Sequence, residues 1–552
     1  MSLNFIEQII EQDLKEGMNK KNLRFRFPPE PNGYLHIGHV KAICLNFNLG
    51  KKYGAPVNLR FDDTNPQKEE SKYVDAIKRD IKWLDYKWDK ECYASDYFQQ
   101  LFDWAVFLID NNLAYIDSQS SEEIASQKGT PIIPGKESPY RDQDSKINKE
   151  IFIKMTKGEF EEGEHVLRAK INMNSPNMLM RDPVLYRVIN KPHDRTGSKW
   201  KAYPMYDWTH GESDYIEKIS HSLCTLEFKP HRELYNWFLK KLPLNQLIPK
   251  QREFARLNLS YTVTSKRKLK KLIDKAVVQG WDDPRMPTIS GLRRRGYTPE
   301  SLRKFALAAG VSKRENVIEA SLLEFCAREH LNKIAYRVNA VLNPIKITLT
   351  NYNEEEILSG EINPEQPKLG RRKIPFSKTL YIEREDFKEK APKKFFRLSL
   401  GNEVRLKNAY IIKAESVIKD EKGNLLEVLC KVDIKSKSES GTEESKRKVK
   451  GTLHWVSQEH ALKVEVNLYD RLFSVSSPDQ DKDKDFMHFV NPYSLKKVQA
   501  FIEPSVKGSK SDTHFQFQRL GYFIQDKNSS SQKMIFNRTV TLRDNWTSSQ
   551  RK

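Results

Sequence analysis

Phe27-Pro28-Pro29-Glu30-Pro31-Asn32-Gly33-Tyr34-Leu35-His36-Ile37-Gly38-His39-Val40-Lys41-Ala42 is the stretch on which the reading of this chain turns. The alternating run Leu23-Arg24-Phe25-Arg26-Phe27 before it predicts a strand. After it, Ile37, Val40, Ile43, Cys44 and Phe47 fall at helical spacing. Between strand and helix sits a Pro/Gly turn carrying two histidines three residues apart. A helix start offers free N–H groups and a positive dipole end to an anion. Gly38 would let a purine or phosphate approach the backbone, and two imidazoles could donate to phosphate oxygens. Read alone, the same pair could be a metal pair or surface histidines, but no nearby Cys, Asp or Glu supplies a third ligand at zinc spacing. No metal site is expected. The glycine-rich dinucleotide and P-loop patterns are absent from this stretch.

Strand, turn, His36-Ile37-Gly38-His39 and helix together resemble the signature of class I aminoacyl-tRNA synthetases. The longer string from Arg26 to His39 resembles their glutaminyl/glutamyl branch. That resemblance covers roughly residues 5–545 and implies a Rossmann-like catalytic domain in which the two histidines hold ATP phosphates. It carries ATP binding onto Glu30, Pro31, Asn32, His36, Ile37, Gly38, His39, Val40, Lys41 and Ala42.

Composition fits this picture. A net charge of +21 would steer and concentrate a polyanion, although a lysine-rich proteome would give the same excess. Five scattered cysteines without a C-x-x-C pair point to a reducing compartment rather than a disulfide framework. The first residues are amphipathic and acid-bearing, unlike a signal or transit peptide. No apolar run is long enough to span a membrane. A soluble cytoplasmic protein of several domains is expected, without internal repeats.

A second strand is predicted at 57–61 after a stop at Gly54, which makes a strand–helix–strand unit and a parallel sheet. It runs into Asp62-Asp63-Thr64-Asn65-Pro66, at the carboxyl end where such sheets bind ligands. One acid could pair with a ligand ammonium, while Asp63 or Thr64 could cap a helix starting near Gln67. The family assigns the first aspartate, here Asp62, to the α-amino group of the amino acid. Residues 115–200 are polar and broken by Pro and Gly, and read as an inserted domain. The family uses such an insert to hold the acceptor end of tRNA. Its aromatics and arginines could stack bases, though core packing accounts for most of them.

The run His221-Ser222-Leu223-Cys224-Thr225-Leu226-Glu227-Phe228 separates the two substrates of the branch. Glutaminyl members carry this string, whereas glutamyl relatives have arginine where Cys224 stands. An arginine fork would pair with a γ-carboxylate, while a small neutral Cys leaves room for an amide. Cys224 could equally be a small buried hydrophobe. An amide needs an acceptor for its –NH2 and a donor for its C=O. Tyr206, Gln251 and a water are the candidates, supported by Arg26. Further on, Val263-Thr264-Ser265-Lys266-Arg267 resembles the second class I signature, with Thr264 in place of the usual Met. It could also be a basic helix start. Its lysine would neutralise charge as pyrophosphate leaves. Thr225, Arg256, Leu257, Thr264, Ser265 and Lys266 complete the expected ATP site, and His36, His39 and Lys266 are the expected catalytic groups.

Residues 270–340 read as helical, and Lys313 and Arg314 are expected to meet the inner face of the tRNA. From about 345 the period becomes two, as in β-barrels or sandwiches. The family ends in two barrels that read the anticodon, through residues matching Arg337, Arg405, Lys407, Gln516 and Arg519 here. Bidentate Arg and Gln suit unstacked bases.

The expected domains are a catalytic first half (1–101), the insert (102–202), a catalytic second half (203–257) and a helical domain (258–338). A proximal barrel (339–398 with 462–552) and a distal barrel (399–461) follow. The expected fold class is multidomain α/β plus all-β. The resemblance implies ATP-dependent attachment of L-glutamine to tRNA(Gln) through an adenylate, with Mg²⁺ accompanying ATP, by a monomer without DNA or membrane partners. A glutamyl enzyme, a small-molecule nucleotidylyltransferase and a non-enzymatic RNA-binding relative are the alternatives. Cys224, the long β tail, and the intact His36, His39, Asp62 and Lys266 speak against each in turn.

Overall fold

The computed structural model describes residues 3–481 and 483–544, so the extreme ends of the first and last expected domains and residue 482 lie outside the described residues. The chain divides into two compact units, Met1–Asn258 with Ala306–Ile318, and Leu259–Phe305 with Glu319–Lys552.

The first unit opens with helix α1 (Phe5–Lys15), started by an Asn4/Glu7 capping box that satisfies two otherwise orphaned N–H groups. Strand β1 (Phe25–Phe27) leads into α2 (Ile37–Tyr53), which Gly54 ends in the left-handed region at φ 66°, a conformation glycine adopts without Cβ strain. Then come β2 (Val57–Phe61), α3 (Ser71–Trp83) and β3 (Glu91–Tyr93). β1–β2 and β2–β3 pair in parallel, as the strand–helix–strand reading predicts. All residues of β1 and β2 are buried, as in a sheet covered on both faces. The helix expected from Gln67 starts at Ser71 instead, because Asp63 and Thr64 do not cap it.

After α4 (Phe98–Asp110), strand β4 (Ala114–Asp117) begins the expected insert. Helices α5 (Ser121–Gln127) and α6 (Ser145–Lys157) and strands β5 (Val166–Ala169), β6 (Val184–Val188) and β7 (Ala202–Pro204) follow. β4 to β7 form an antiparallel sheet in sequence order. Helix α7 (Tyr206–Ile216), β8 (His221–Thr225), α8 (His231–Lys241) and β9 (Lys250–Phe254) return to the parallel layer. β8 pairs with β9 in parallel, and Ser220 N–H donates to Arg24 O at 3.0 Å, bringing β8 beside β1. One apolar core runs from α4 through α6 and β6 to α7 and α8, with Phe98, Phe152, Tyr186, Trp200, Tyr203, Trp208 and Phe238. Most aromatics of the insert are therefore core.

The second unit holds helix α9 (Lys266–Asp274) and two seven-stranded sheets. One consists of Tyr336–Val338, Ala340–Val341 and strands between 462 and 541. The other combines Pro344–Leu349 and Thr379–Glu383 with strands between 403 and 457. Pro344–Leu349 and Thr379–Glu383 thus pair with strands between 403 and 457, while Glu356–Glu361 and Arg371–Phe376 form a two-stranded sheet of their own. A two-residue period marks a strand but not its partner.

Phe152 is fully buried in the first unit's core. Phe152→Ala is expected to cost about 3–5 kcal/mol, read as an earlier first transition in urea unfolding. An unchanged midpoint would contradict this account of the core.

Candidate active site

The turn after β1 folds back on the carboxyl end of β2, where Asp62 N–H donates to Pro29 O at 3.2 Å. His36 is the N-cap of α2, and its Nδ1 accepts from Gly38 N–H at 3.1 Å. His39 Nδ1 accepts from His36 N–H at 3.1 Å, and the two rings lie 3.9 Å apart. Burial drives the His36 pKa well below its ordinary value, with His39 adding to the effect, and holds His39 down to about 4. Both rings are therefore neutral near pH 7, with the proton on Nε2, because each Nδ1 is an acceptor. They offer hydrogen-bond donors rather than charge. A Cβ on Gly38 would lie 2.8 Å from His36 Cε1, so glycine here makes room for the capping histidine.

Ile37 and Val40 are buried in the core, leaving only their backbone to a nucleotide. Lys41 donates to Ala255 O at 2.7 Å and lies over the Phe254 ring. Its charge ties α2 to the end of β9, and burial lowers its pKa. Thr225 Oγ1 donates to Glu227 Oε1 at 2.7 Å. Arg256 is half exposed between Glu227 and Glu315, 3.9 and 3.5 Å away, and Leu257 is buried beside it.

Beneath the turn is a charge network that sequence reasoning missed. Arg26 is fully buried and donates to Asp214 Oδ1 at 2.9 Å, Leu223 O at 2.8 Å and Ser222 Oγ at 2.8 Å. Arg60 donates to Asp214 Oδ1 at 2.9 Å, Glu217 Oε1 at 3.2 Å and Asp62 Oδ1 at 3.1 Å. Burial alone would raise the Asp214 pKa, but Arg26 and Arg60 hold it well below the usual carboxylate range. Arg26 Nη2 also lies 2.8 Å from His210 Nε2. A guanidinium only donates, so Nε2 accepts and the neutral ring, its pKa lowered by burial, carries its proton on Nδ1. That Nδ1 faces the Tyr206 hydroxyl. Tyr206 accepts there and keeps its own proton to donate.

These groups border a cavity of about 470 Å³ lined by Arg26, Glu30, His39, Ala42, Asp62, Tyr206, Cys224 and Thr225 among others. Such a volume suits a small-molecule ligand. Cys224 is half-buried, its thiol 3.9 Å from Arg252 O, and burial pushes its pKa up. Gln251 is not among the lining residues. Its amide nitrogen donates to Phe228 O and Glu253 Oε1 at 3.0 and 2.9 Å, so only its carbonyl is left to accept.

Asp63 serves structure. It accepts from Ser95 N–H and Oγ at 2.9 and 2.6 Å, and its carbonyl accepts from His193 Nε2 at 2.8 Å. Burial raises its pKa to about 7. Glu69 is pushed up to about 9 by burial, then by Asp63, Glu30 and Asp62, although it accepts from Asn65 N–H at 2.7 Å.

The other predicted residues lie elsewhere. In the second unit, Ser265 is the N-cap of α9, Lys266 its first residue, and Thr264 is half-buried before them. There too, Arg337 and Gln516 are register partners on adjacent strands. Arg337 donates to Asn332 O and Oδ1, both at 2.9 Å, and Gln516 to the Tyr522 hydroxyl at 3.1 Å. Lys407 donates to Gln518 Oε1 at 3.0 Å and Arg519 pairs with Asp386 at 2.8 Å. Arg405 binds the carbonyls of Ser436 and Ser445. In the first unit, Lys313 sits over the Phe5 ring at 4.9 Å, and Arg314 is exposed. Among the described residues no group of three or more His, Cys, Asp or Glu could hold a metal ion, and no helix is long and apolar enough to cross a membrane.

Residues 22–333 match the catalytic domain of class I tRNA synthetases (E and Q), and 335–433 and 452–526 match the anticodon-binding domain of the same class. A glutamine–tRNA ligase from Rhodopirellula baltica is 52% identical over 548 residues, covering 99% of this chain and 90% of that one. One from Proteus mirabilis is 51% identical over 545 residues, covering 98% and 97%. A solved glutamate–tRNA ligase from Elizabethkingia meningosepticum aligns at 17% identity and TM-score 0.42, over 57% of this chain and 70% of that one. The first two comparisons give the class, the class I tRNA synthetases of the E and Q kind. Within that class, the protein belongs to the glutamine–tRNA ligase family.

Glu69 yields a pH test. Its ordinary pKa of 4.5 rises to about 9 in the fold, so between those values the folded protein holds a proton that the unfolded one has lost. Stability should fall as pH rises through that window. Thermal melts should show the wild type losing Tm from pH 6 to pH 9 and Glu69→Gln losing less. Parallel curves would sink the assignment.

Proposed function

We propose that this protein joins L-glutamine to tRNA(Gln) at the expense of ATP, and that the observation carrying the choice of amino acid is Cys224 in the wall of the cavity that Asp62 and Tyr206 also line. In this reading Asp62 takes the α-ammonium. The Tyr206 hydroxyl donates to the amide oxygen of the glutamine side group, and the –NH2 donates to a water backed by the Gln251 carbonyl. Arg26, spent on Asp214, positions His210 and Tyr206 rather than contacting glutamine.

An α-carboxylate oxygen of glutamine attacks the α-phosphorus of ATP, and pyrophosphate departs with the electron pair. His36 and His39 donate Nε2–H bonds to phosphate oxygens at the α2 start, whose dipole adds to the attraction. Lys266, after Ser265 in the second signature, supplies positive charge to the departing pyrophosphate. The terminal adenosine 2′-OH then attacks the acyl carbon and AMP leaves. No covalent enzyme intermediate is needed, since positioning and electrostatics carry the acceleration. Mg²⁺ enters as part of the ATP complex.

The parallel pairs β1–β2–β3 and β8–β9, with Ser220 bonded to Arg24 between them, support a Rossmann-like catalytic domain, with the antiparallel β4–β7 sheet as the acceptor-holding insert. The two C-terminal sheets act as anticodon-reading barrels through Arg337, Arg405, Lys407, Gln516 and Arg519. The inner face of the tRNA runs past Lys313 and Arg314. A cytoplasmic monomer fits the reducing-compartment cysteine pattern and the family.

Two measurements check this. Aminoacylation of total tRNA with labelled glutamine and glutamate in parallel should favour glutamine, and Cys224→Arg should cut kcat/KM for glutamine by at least roughly ten-fold while narrowing the preference. Preference for glutamate in the wild type would refute the reading. Likewise His39→Ala should lower kcat by about 10²-fold or more, and an intact rate would remove the phosphate role.

A further inference from the structure

One cation in the cavity wall is unaccounted for. Arg187 stands on β6, half-buried, and lines the same cavity as Asp62 and Tyr206. Its guanidinium makes no hydrogen bond or ion pair among the described residues. The fully buried arginines of this unit behave differently. Arg168 donates to Asp117 Oδ2 at 2.6 Å, Arg181 to the carbonyls of Ser175, Lys128 and Ile133, and Arg26 and Arg60 to Asp214. Arg187 is only half-buried, so water can satisfy it in the empty cavity, and its guanidinium, with no protein acceptor to displace, is open to an anion that arrives with the ligand.

Its position selects the anion. Arg187 is the register partner of Tyr203, and Met205 N–H donates to Leu185 O at 2.7 Å. β6 is thereby fixed beside the segment that leads into Tyr206. Asp62, at the end of β2, lines the cavity too. A carboxylate and a guanidinium in one cavity complement the two charges of an α-amino acid. We propose that Arg187 binds the α-carboxylate of the incoming glutamine, opposite the ammonium held by Asp62. This rests on the assignment of Asp62 and Tyr206 to glutamine above.

The test uses the full-length protein with tRNA, measuring KM for glutamine, KM for tRNA and inhibition by L-glutaminol, which lacks the carboxylate. Arg187→Ala should raise the glutamine KM roughly ten- to a hundred-fold and leave tRNA KM and glutaminol inhibition unchanged, with Arg187→Lys recovering part of the loss. An unchanged glutamine KM overturns the proposal, and a raised tRNA KM in that case moves Arg187 to a phosphodiester of the acceptor end. Equal loss for glutamine and glutaminol also overturns it, since that signals general damage. Asp62→Asn separates the two ideas: it should weaken both glutamine and glutaminol, and if it weakens neither, the glutamine assignment of the pocket fails whatever Arg187 does.

Discussion

Two arginines share one buried aspartate, and the site stands on that arrangement. Arg26 comes from β1, Arg60 from β2 and Asp214 from α7, all with side groups closed to solvent. None of the three charges is tolerable alone in that position, and removing one partner of such a set typically costs about 3–5 kcal/mol. Two neighbouring strands and a helix distant in sequence are thus held in one geometry. The functional groups hang from it: Asp62 through Arg60, His210 and then Tyr206 through Arg26. Whatever disturbs Asp214 disturbs both Asp62 and the Tyr206 hydroxyl, two groups that line one cavity.

The motif histidines acquire a narrower role than positive charge. With each Nδ1 engaged by a backbone N–H, and with burial keeping both rings neutral, they act as fixed Nε2–H donors. Fixed dipoles need no reorganisation as charge moves onto a leaving group. They also leave the net charge of the turn low. Lys266 of the second signature belongs to the other compact unit of the protein.

What the sequence made legible was local or strongly patterned. The strand–turn–helix around His36, the stop at Gly54, the parallel partner at β2 and the place of Asp62 at the carboxyl end of β2 all follow from spacing and turn chemistry within some forty residues. The buried network was not legible, because Arg26 and Arg60 look like ordinary strand charges until Asp214 is known to face them, and nothing in the sequence marks a pairing across a separation of 154 residues. Asp63 misled for the same reason: a good capping residue was drawn off by Ser95 and His193, so the helix waited until Ser71. Which C-terminal strands share a sheet was not legible either, because the alternation of side groups does not carry register. Arg187 was invisible among the many arginines of the insert, since being unpaired is a property of surroundings and not of sequence.

Selection of glutamine over glutamate follows from which charges are already committed. A donating Tyr206 hydroxyl suits an amide oxygen and a carboxylate oxygen equally, so it discriminates little. The γ-carboxylate of glutamate would add a negative charge to a cavity already lined by Glu30, Asp62 and Glu227. The nearest buried cation, Arg26, is engaged by Asp214, and in the proposed arrangement Arg187 is engaged by the α-carboxylate. Cys224 contributes no positive charge, and its buried thiol stays protonated. Glutamate would therefore be desolvated without compensation, whereas an amide carries no such charge penalty. Rejection by absence of a partner needs no dedicated repulsive group.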